Sequence, residues 1–146
     1  MLMAYDKESQ ASVSLQNDLR DLLISRNITI LFQPIVNLDN FSIEGYEALA
    51  RGPKNTLLNK PTILFNTAYQ ANRIWELERI IRDNTFKLFV EKFPKDKYLS
   101  INVEPTSFSD PDFRKFAEMN PYYIDYSKIV LEITERTNIT DLKKFK

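Results

Sequence analysis

Gly45-Tyr46-Glu47-Ala48-Leu49-Ala50-Arg51 closes an extended run that begins at Phe41, and it sets a carboxylate, small apolar spacers and a guanidinium on one short segment. In a strand the side chains alternate between faces, so Gly45, Glu47, Leu49 and Arg51 point one way. At a rise of about 3.3 Å per residue, Glu47 and Arg51 stand roughly 13 Å apart, too far to be simply each other's ion pair. Each wants its own partner. A cation for Glu47 and an anion such as phosphate for Arg51 suit a metal-assisted phosphoryl site.

Outward from this segment, Asn37 to Asn40 supplies turn residues, and before them Ile28 to Val36 is β-branched and apolar. A link this short cannot make a parallel crossover, so the two runs predict an antiparallel hairpin. Pro34 predicts an edge position, a bulge or the strand's end. Leu15, Leu19, Leu22 and Leu23 repeat at helical spacing within Ser14 to Ser25, with Asp18 and Asp21 facing out and Asn27 as a stop. From Thr62 the pattern is helical again: Leu64, Ala68 and Ala71 form one stripe. After Asn72 a second stripe runs through Ile74, Leu77, Ile80, Ile81, Phe86 and Leu88 towards Phe93 and Pro94. Trp75, Leu77, Ile80 and Ile81 read as core-facing packing on that helix. Tyr98 to Val103 reads as a strand, and Asp110 to Met119 as a helix with Pro111 in its first turn. Ile129 to Ile133 is another strand, and Asn138 to Lys146 begins a further helix. Strands and helices alternating after a hairpin predict an α/β fold with parallel strands, with no internal repeat and no linker between domains.

Composition narrows the chemistry. The 146 residues are 43% hydrophobic and 27% charged, with 20 basic against 20 acidic side chains, as in one globular unit with a real core. Zero net charge argues against a general nucleic-acid or membrane-surface binder. Histidine and cysteine are absent, which removes imidazole acid/base catalysis, thiol nucleophiles, disulfides and the usual zinc sites. Any metal must then be held by oxygen, which favours magnesium, manganese or calcium. Glycine occurs only at Gly45 and Gly52, so no phosphate loop can be written and phosphate must be met by side chains. Met1 to Ser12 lacks the apolar core of a secretory signal, and no stretch approaches the roughly 20 apolar residues of a membrane span. A cytoplasmic protein is expected.

The later strands repeat the pattern of the first. Leu99, Ile101 and Val103 share one face and leave Ser100, Asn102 and Glu104 on the other, while Ile129, Leu131 and Ile133 leave Val130, Glu132 and Thr134 opposite. Polar residues near the carboxyl ends of parallel strands, on the face turned from the helices, mark the mouth of a barrel. Bland readings stand beside this one. Glu47 alone reads as a carboxylate at a solvated strand edge, Arg51 as a helix cap or a partner of Glu78, and Gln33 as satisfying a neighbouring backbone group. Asn102 reads as a buried amide holding a loop, and Glu135 as merely solvated. Phe108, Phe113, Phe116, Tyr122, Tyr123 and Tyr126 suggest base stacking, but helical spacing and local packing explain them better.

Five stretches, in order and spacing, carry a resemblance. Phe32-Gln33-Pro34-Ile35-Val36, Gly45-Tyr46-Glu47-Ala48-Leu49-Ala50-Arg51, Trp75-Glu76-Leu77-Glu78-Arg79, Ser100-Ile101-Asn102-Val103-Glu104-Pro105 and Leu131-Glu132-Ile133-Thr134-Glu135 resemble the EAL-domain family of cyclic di-GMP phosphodiesterases, over roughly residues 15 to 146. The resemblance implies a modified (β/α)8 TIM-like barrel whose first strand is antiparallel. It implies hydrolysis of one phosphodiester of cyclic di-GMP to linear pGpG by water activated with Mg2+ or Mn2+. By position, Glu47, Asn102 and Glu132 match metal ligands, and Gln33, Leu49 and Arg51 match substrate-contacting residues. Glu135 matches an acidic position that supports Glu47 in catalysis. Arg51-Gly52-Pro53 and Trp75-Glu76-Leu77-Glu78 resemble a branch whose parent proteins pair this domain with a diguanylate-cyclase-type or sensor domain.

The family pattern continues past Thr134-Glu135 to paired aspartates, then a lysine, a glutamate and a glutamine on later strands. This sequence reaches none of them, and a barrel of this kind usually needs about 250 residues. The expectation is a polar segment over 1–13 followed by the amino-terminal half of an EAL domain over 14–146, a partial barrel truncated about half way. Such a chain by itself is expected not to hydrolyse cyclic di-GMP at a useful rate. Its open edge beside Ile129 to Ile133 is expected to be covered in a symmetric homodimer. A second reading is a non-catalytic cyclic di-GMP receptor or protein-interaction module of the same fold.

Overall fold

The computed structural model describes residues 2–133, with side chains from residue 12 onward. By contact density the chain divides into two compact units, one holding residues up to 29 and 50–80, the other 30–49 and 81 onward. Glu135 and the helix expected over Asn138 to Lys146 lie outside the described residues.

In the first unit, helix α1 spans Leu2–Ser25 and buries Leu19, Leu22 and Leu23. It starts well before the expected Ser14 because nothing between residues 2 and 13 interrupts it: the stretch holds no glycine or proline. Helix α2, Pro61–Gln70, opens on proline and buries Leu64, Thr67 and Ala68. Asn72, at φ 55, stops it in the left-handed conformation that asparagine tolerates. Helix α3, Ile74–Lys92, then begins in this unit with Leu77 and Ile80 buried. Trp75 departs from the expected core-facing position and is 36% exposed. At 3.6 residues per turn it stands about 160° around the helix from Leu77. Gly52 lies so close to the Leu58 backbone that a Cβ there would overlap the Leu58 carbonyl.

The second unit carries the sheet, in the order β1 (Thr29–Val36), β2 (Ile43–Arg51), β3 (Tyr98–Val103) and β4 (Ile129–Ile133). The first pair is antiparallel and the next two pairings are parallel, as the sequence predicts. In the connecting turn, Asn37 Oδ1 accepts the Asp39 N–H at 2.8 Å and Asn40 Oδ1 accepts the Ser42 N–H at 2.9 Å. Phe41, expected to begin the second strand, sits at φ 59 and is 79% exposed, so β2 starts two residues later. Pro34 occupies an edge strand. The Asn37 N–H turns towards β2, to the Ser42 carbonyl, so alternation puts the missing Pro34 donor on the outer edge, where no ladder bond is lost.

Tyr46 packs its ring 4.3 Å from Phe93 of the segment ending α3, and Phe32 lies 4.7 Å from the same ring. The face of β1 and β2 bearing Phe32 and Tyr46 is therefore the one covered by this aromatic cluster. Gly45 permits close approach of the next strand, since a Cβ there would stand 2.7 Å from the Tyr98 carbonyl oxygen. Helix α4, Pro111–Met119, has Asp110 as its N-cap, accepting the Asp112 N–H at 3.0 Å, and ends at Asn120 in the left-handed conformation. Phe116 stacks on Phe86 at 5.5 Å, and Phe108 meets Phe113 at 5.3 Å. Phe108, Phe113, Phe116 and Tyr122 are thus used in local packing, whereas Tyr123 departs from that expectation and is 94% exposed. Among the described residues no helix is long and apolar enough to cross a membrane.

Candidate functional site

The register of the three parallel strands builds the site. Glu47 of β2 lies beside Ser100 of β3, and Asn102 of β3 lies beside Glu132 of β4. Residues paired across parallel strands point to the same side, and so do residues two apart on one strand, so Glu47, Ser100, Asn102 and Glu132 share one face. It is the face away from Tyr46, and hence from the aromatic cluster. Their bonds cross the register: Asn102 Nδ2 donates to Glu47 Oε1 at 3.0 Å, while Ser100 Oγ donates to Glu132 Oε1. The central strand thereby holds a carboxylate on either side.

Two strand spacings of about 4.8 Å and a stagger of two residues along the strands put the backbones of Glu47 and Glu132 about 12 Å apart. Two carboxylate charges at that distance repel by about 0.3–1.4 kcal/mol, depending on the local dielectric, and a cation between them turns repulsion into attraction. The donors offered are all oxygen: two carboxylates and the Asn102 Oδ1 left once Nδ2 is committed to Glu47. That set fits a hard divalent cation in donor type and falls short of six-fold coordination. No cluster of three acidic side chains able to hold a metal occurs among the described residues.

The other expected site residues fall as follows. Gln33 is exposed on β1, on the face opposite Phe32, and Leu49 is half-buried on the Glu47 face two residues further along β2. Arg51 ends β2 and groups with the first unit, where its Nη1 donates to the Ala50 carbonyl at 2.8 Å. Glu47 is not at a sheet edge, since β2 is flanked by β1 and β3. Nor is Asn102 a buried amide: it is exposed and bonded to a side chain. Sequence reasoning assigned Ser100 no role. Its place on the polar face of β3, two residues before Asn102, was the available signal, and the structure leaves only 2% of it exposed.

A groove of about 380 Å³ opens elsewhere, at the amino-terminal ends of β3 and β4, lined by Phe89, Phe93, Tyr122, Lys97 and Lys128 among others. Two of its lysines, Lys97 and Lys128, have partners. Lys97 pairs with Asp96 at 3.1 Å, a bond that, with Lys128 nearby, holds the Asp96 carboxyl below its usual range, and Lys128 Nζ lies 4.7 Å over the Tyr98 ring. The oxygen ligands converge at the opposite strand ends.

Comparison with known proteins bears on the family and the fold. Residues 16–146 match the model of the EAL domain. The chain is 32% identical over 124 residues to the probable cyclic di-GMP phosphodiesterase PdeB of Escherichia coli K12, covering 81% of this chain and 24% of that protein. It superposes on the Xanthomonas citri FimX EAL domain, solved in complex with c-diGMP, with a TM-score of 0.74 at 20% identity, covering 89% of this chain and 52% of that one. The Pseudomonas aeruginosa FimX EAL domain bound to c-di-GMP gives a TM-score of 0.66 at 22% identity, with coverage of 82% and 49%. The chain thus spans about half the length of these solved domains and about a quarter of the curated relative. The solved domains share the fold; the family model, matched from within α1 to the last residue, decides membership, and this chain belongs to the EAL-domain family.

Proposed function

We propose that this chain supplies part of the centre of a cyclic di-GMP phosphodiesterase, with Glu47, Asn102 and Glu132 as ligands for Mg2+ or Mn2+. When bound, such a cation supplies the Lewis acidity that makes water a nucleophile near neutral pH. Glu47 and Glu132 provide the negative field that draws the cation to the sheet face, and Asn102 holds Glu47 in place. Gln33 and Leu49 line the same face as contacts for the dinucleotide, and Arg51 neutralises phosphate charge as it develops. Glu135 supports Glu47 in catalysis. The observation that carries the reading is the convergence of three oxygen-bearing side chains from three strands onto one face.

The test is Mn2+ binding followed by electron paramagnetic resonance, which reads the cation without turnover. Glu47→Gln and Glu132→Gln are each expected to weaken binding about ten-fold, as loss of one charged ligand from a sparse site should. Unchanged binding in both would remove the reading.

The parent protein, on this reading, acts in the cytoplasm and joins this domain to a diguanylate-cyclase-type or sensor domain. Taken alone, the chain forms a homodimer through β4. That edge exposes Val130, Leu131 and Ile133, whereas Pro34 blunts the other edge of the sheet. Light scattering is expected to give twice the chain mass at micromolar concentration; a monomer throughout would sink the dimer. The second reading, a receptor that binds cyclic di-GMP without cleaving it, draws support from the face holding no cluster of three acidic side chains among the described residues. Calorimetry with the dinucleotide in metal-free buffer separates the two, since a flat titration removes the receptor.

A further inference from the structure

Ser100 stands at the centre of the site without an assigned task. It lies in β3 between the two strands that carry the carboxylates, directly beside Glu47 in the register. Its side chain is almost wholly removed from solvent, at 2% exposure. A hydroxyl in that position costs stability unless its proton finds an acceptor, and the acceptor it has is Glu132 Oε1. The bond runs diagonally, because the register neighbour of Glu132 is Asn102. A carboxylate on an exposed strand end would otherwise sample several rotamers. Ser100 removes that freedom by holding one oxygen and leaves Oε2 as the carboxylate atom it does not engage.

We infer that Ser100 is a positioning residue for the metal centre, fixing the Glu132 carboxylate through Oε1 so that its other oxygen is presented to a divalent cation. The inference rests on the ligand roles proposed for Glu47, Asn102 and Glu132. The arrangement is symmetrical in purpose across β3: Asn102 restrains the carboxylate on one side and Ser100 the carboxylate on the other. Hydrogen-bond partners of ligating carboxylates set ligand orientation, and their removal typically lowers metal affinity about ten- to a hundred-fold. A buried serine is small enough to be replaced by alanine without a cavity, so the hydroxyl can be deleted with little change in packing.

The experiment is a Mn2+ titration of the 146-residue chain by electron paramagnetic resonance, on the wild type and on Ser100→Ala, Ser100→Thr and Glu132→Gln. Melting by circular dichroism is followed in parallel. Ser100→Ala is expected to weaken Mn2+ binding about ten-fold while melting within a few degrees of wild type. Ser100→Thr, which keeps the hydroxyl, is expected to stay close to wild-type affinity. If Ser100→Ala binds as wild type does while Glu132→Gln binds weakly, the ligand reading survives and the positioning role is overturned. Equal weakening in the alanine and threonine variants also overturns it, since packing and not the hydroxyl would then be at work. Binding that ignores Glu132→Gln overturns the ligand reading and this inference with it.

Discussion

Assayed with Mn2+ and cyclic di-GMP, the 146-residue chain is expected to form pGpG at least about 10³-fold more slowly than a complete EAL domain, equivalent to about 4 kcal/mol of transition-state stabilisation. The reason lies in the ligand count. The sheet face offers two carboxylates and an amide, and no three-acid cluster occurs among the described residues. A hard cation held by so few protein oxygens stays mostly hydrated and weakly bound. Residues that act as a unit lose nearly all their effect when part of the unit is missing. The solved domains that share this fold are about twice as long. Product formation within ten-fold of a complete domain would show that the ligands described here suffice.

The second large effect is on stability. Leu99→Ala is expected to destabilise the protein by about 3–4 kcal/mol, lowering the melting temperature by about 10 °C. Leu99 is 0% exposed in β3, paired in register with Tyr46 on one side and Ile129 on the other, so truncation leaves a cavity that the flanking strands cannot close. Leu31→Ala is the internal control. Leu31 lies in β1, at the other edge of the sheet, and is 48% exposed, and its loss is expected to cost less than about 1.5 kcal/mol. Urea unfolding of both variants reads the difference directly. Equal costs would mean that β3 is not the buried centre of the sheet.

Much of the fold could be read from local signals. Tyr98–Val103 and Ile129–Ile133 are strands with the expected limits, because short alternating runs bounded by polar turns leave little choice. Asp110-Pro111 marked the start of α4 through cap and first-turn chemistry that acts within three residues. The errors have local causes too. Phe41 looks like a strand residue by propensity, but the asparagine-rich turn holds it at positive φ. Trp75 looks like core by hydrophobicity, yet its angular place on α3 leaves it partly in solvent. The length of α1 was underestimated because a polar stretch carries no stripe to reveal a helix that propensity alone permits.

The site was legible in part. Alternation along each strand was enough to assign Glu47, Asn102 and Glu132 to one kind of face, and the absence of histidine and cysteine restricted any ligand set to oxygen. Which side chain would restrain which carboxylate was not legible. That depends on strands brought together from residues 47, 100–102 and 132, and on a register that no single stretch encodes.

What the chain's sequence determined by itself is therefore the set of strands, the chemistry of their polar face and the family to which they belong. Tertiary structure alone decided that Asn102 answers Glu47 and Ser100 answers Glu132. A hydrogen bond between strands requires two backbones at one spacing and one stagger, and only the packed sheet sets both.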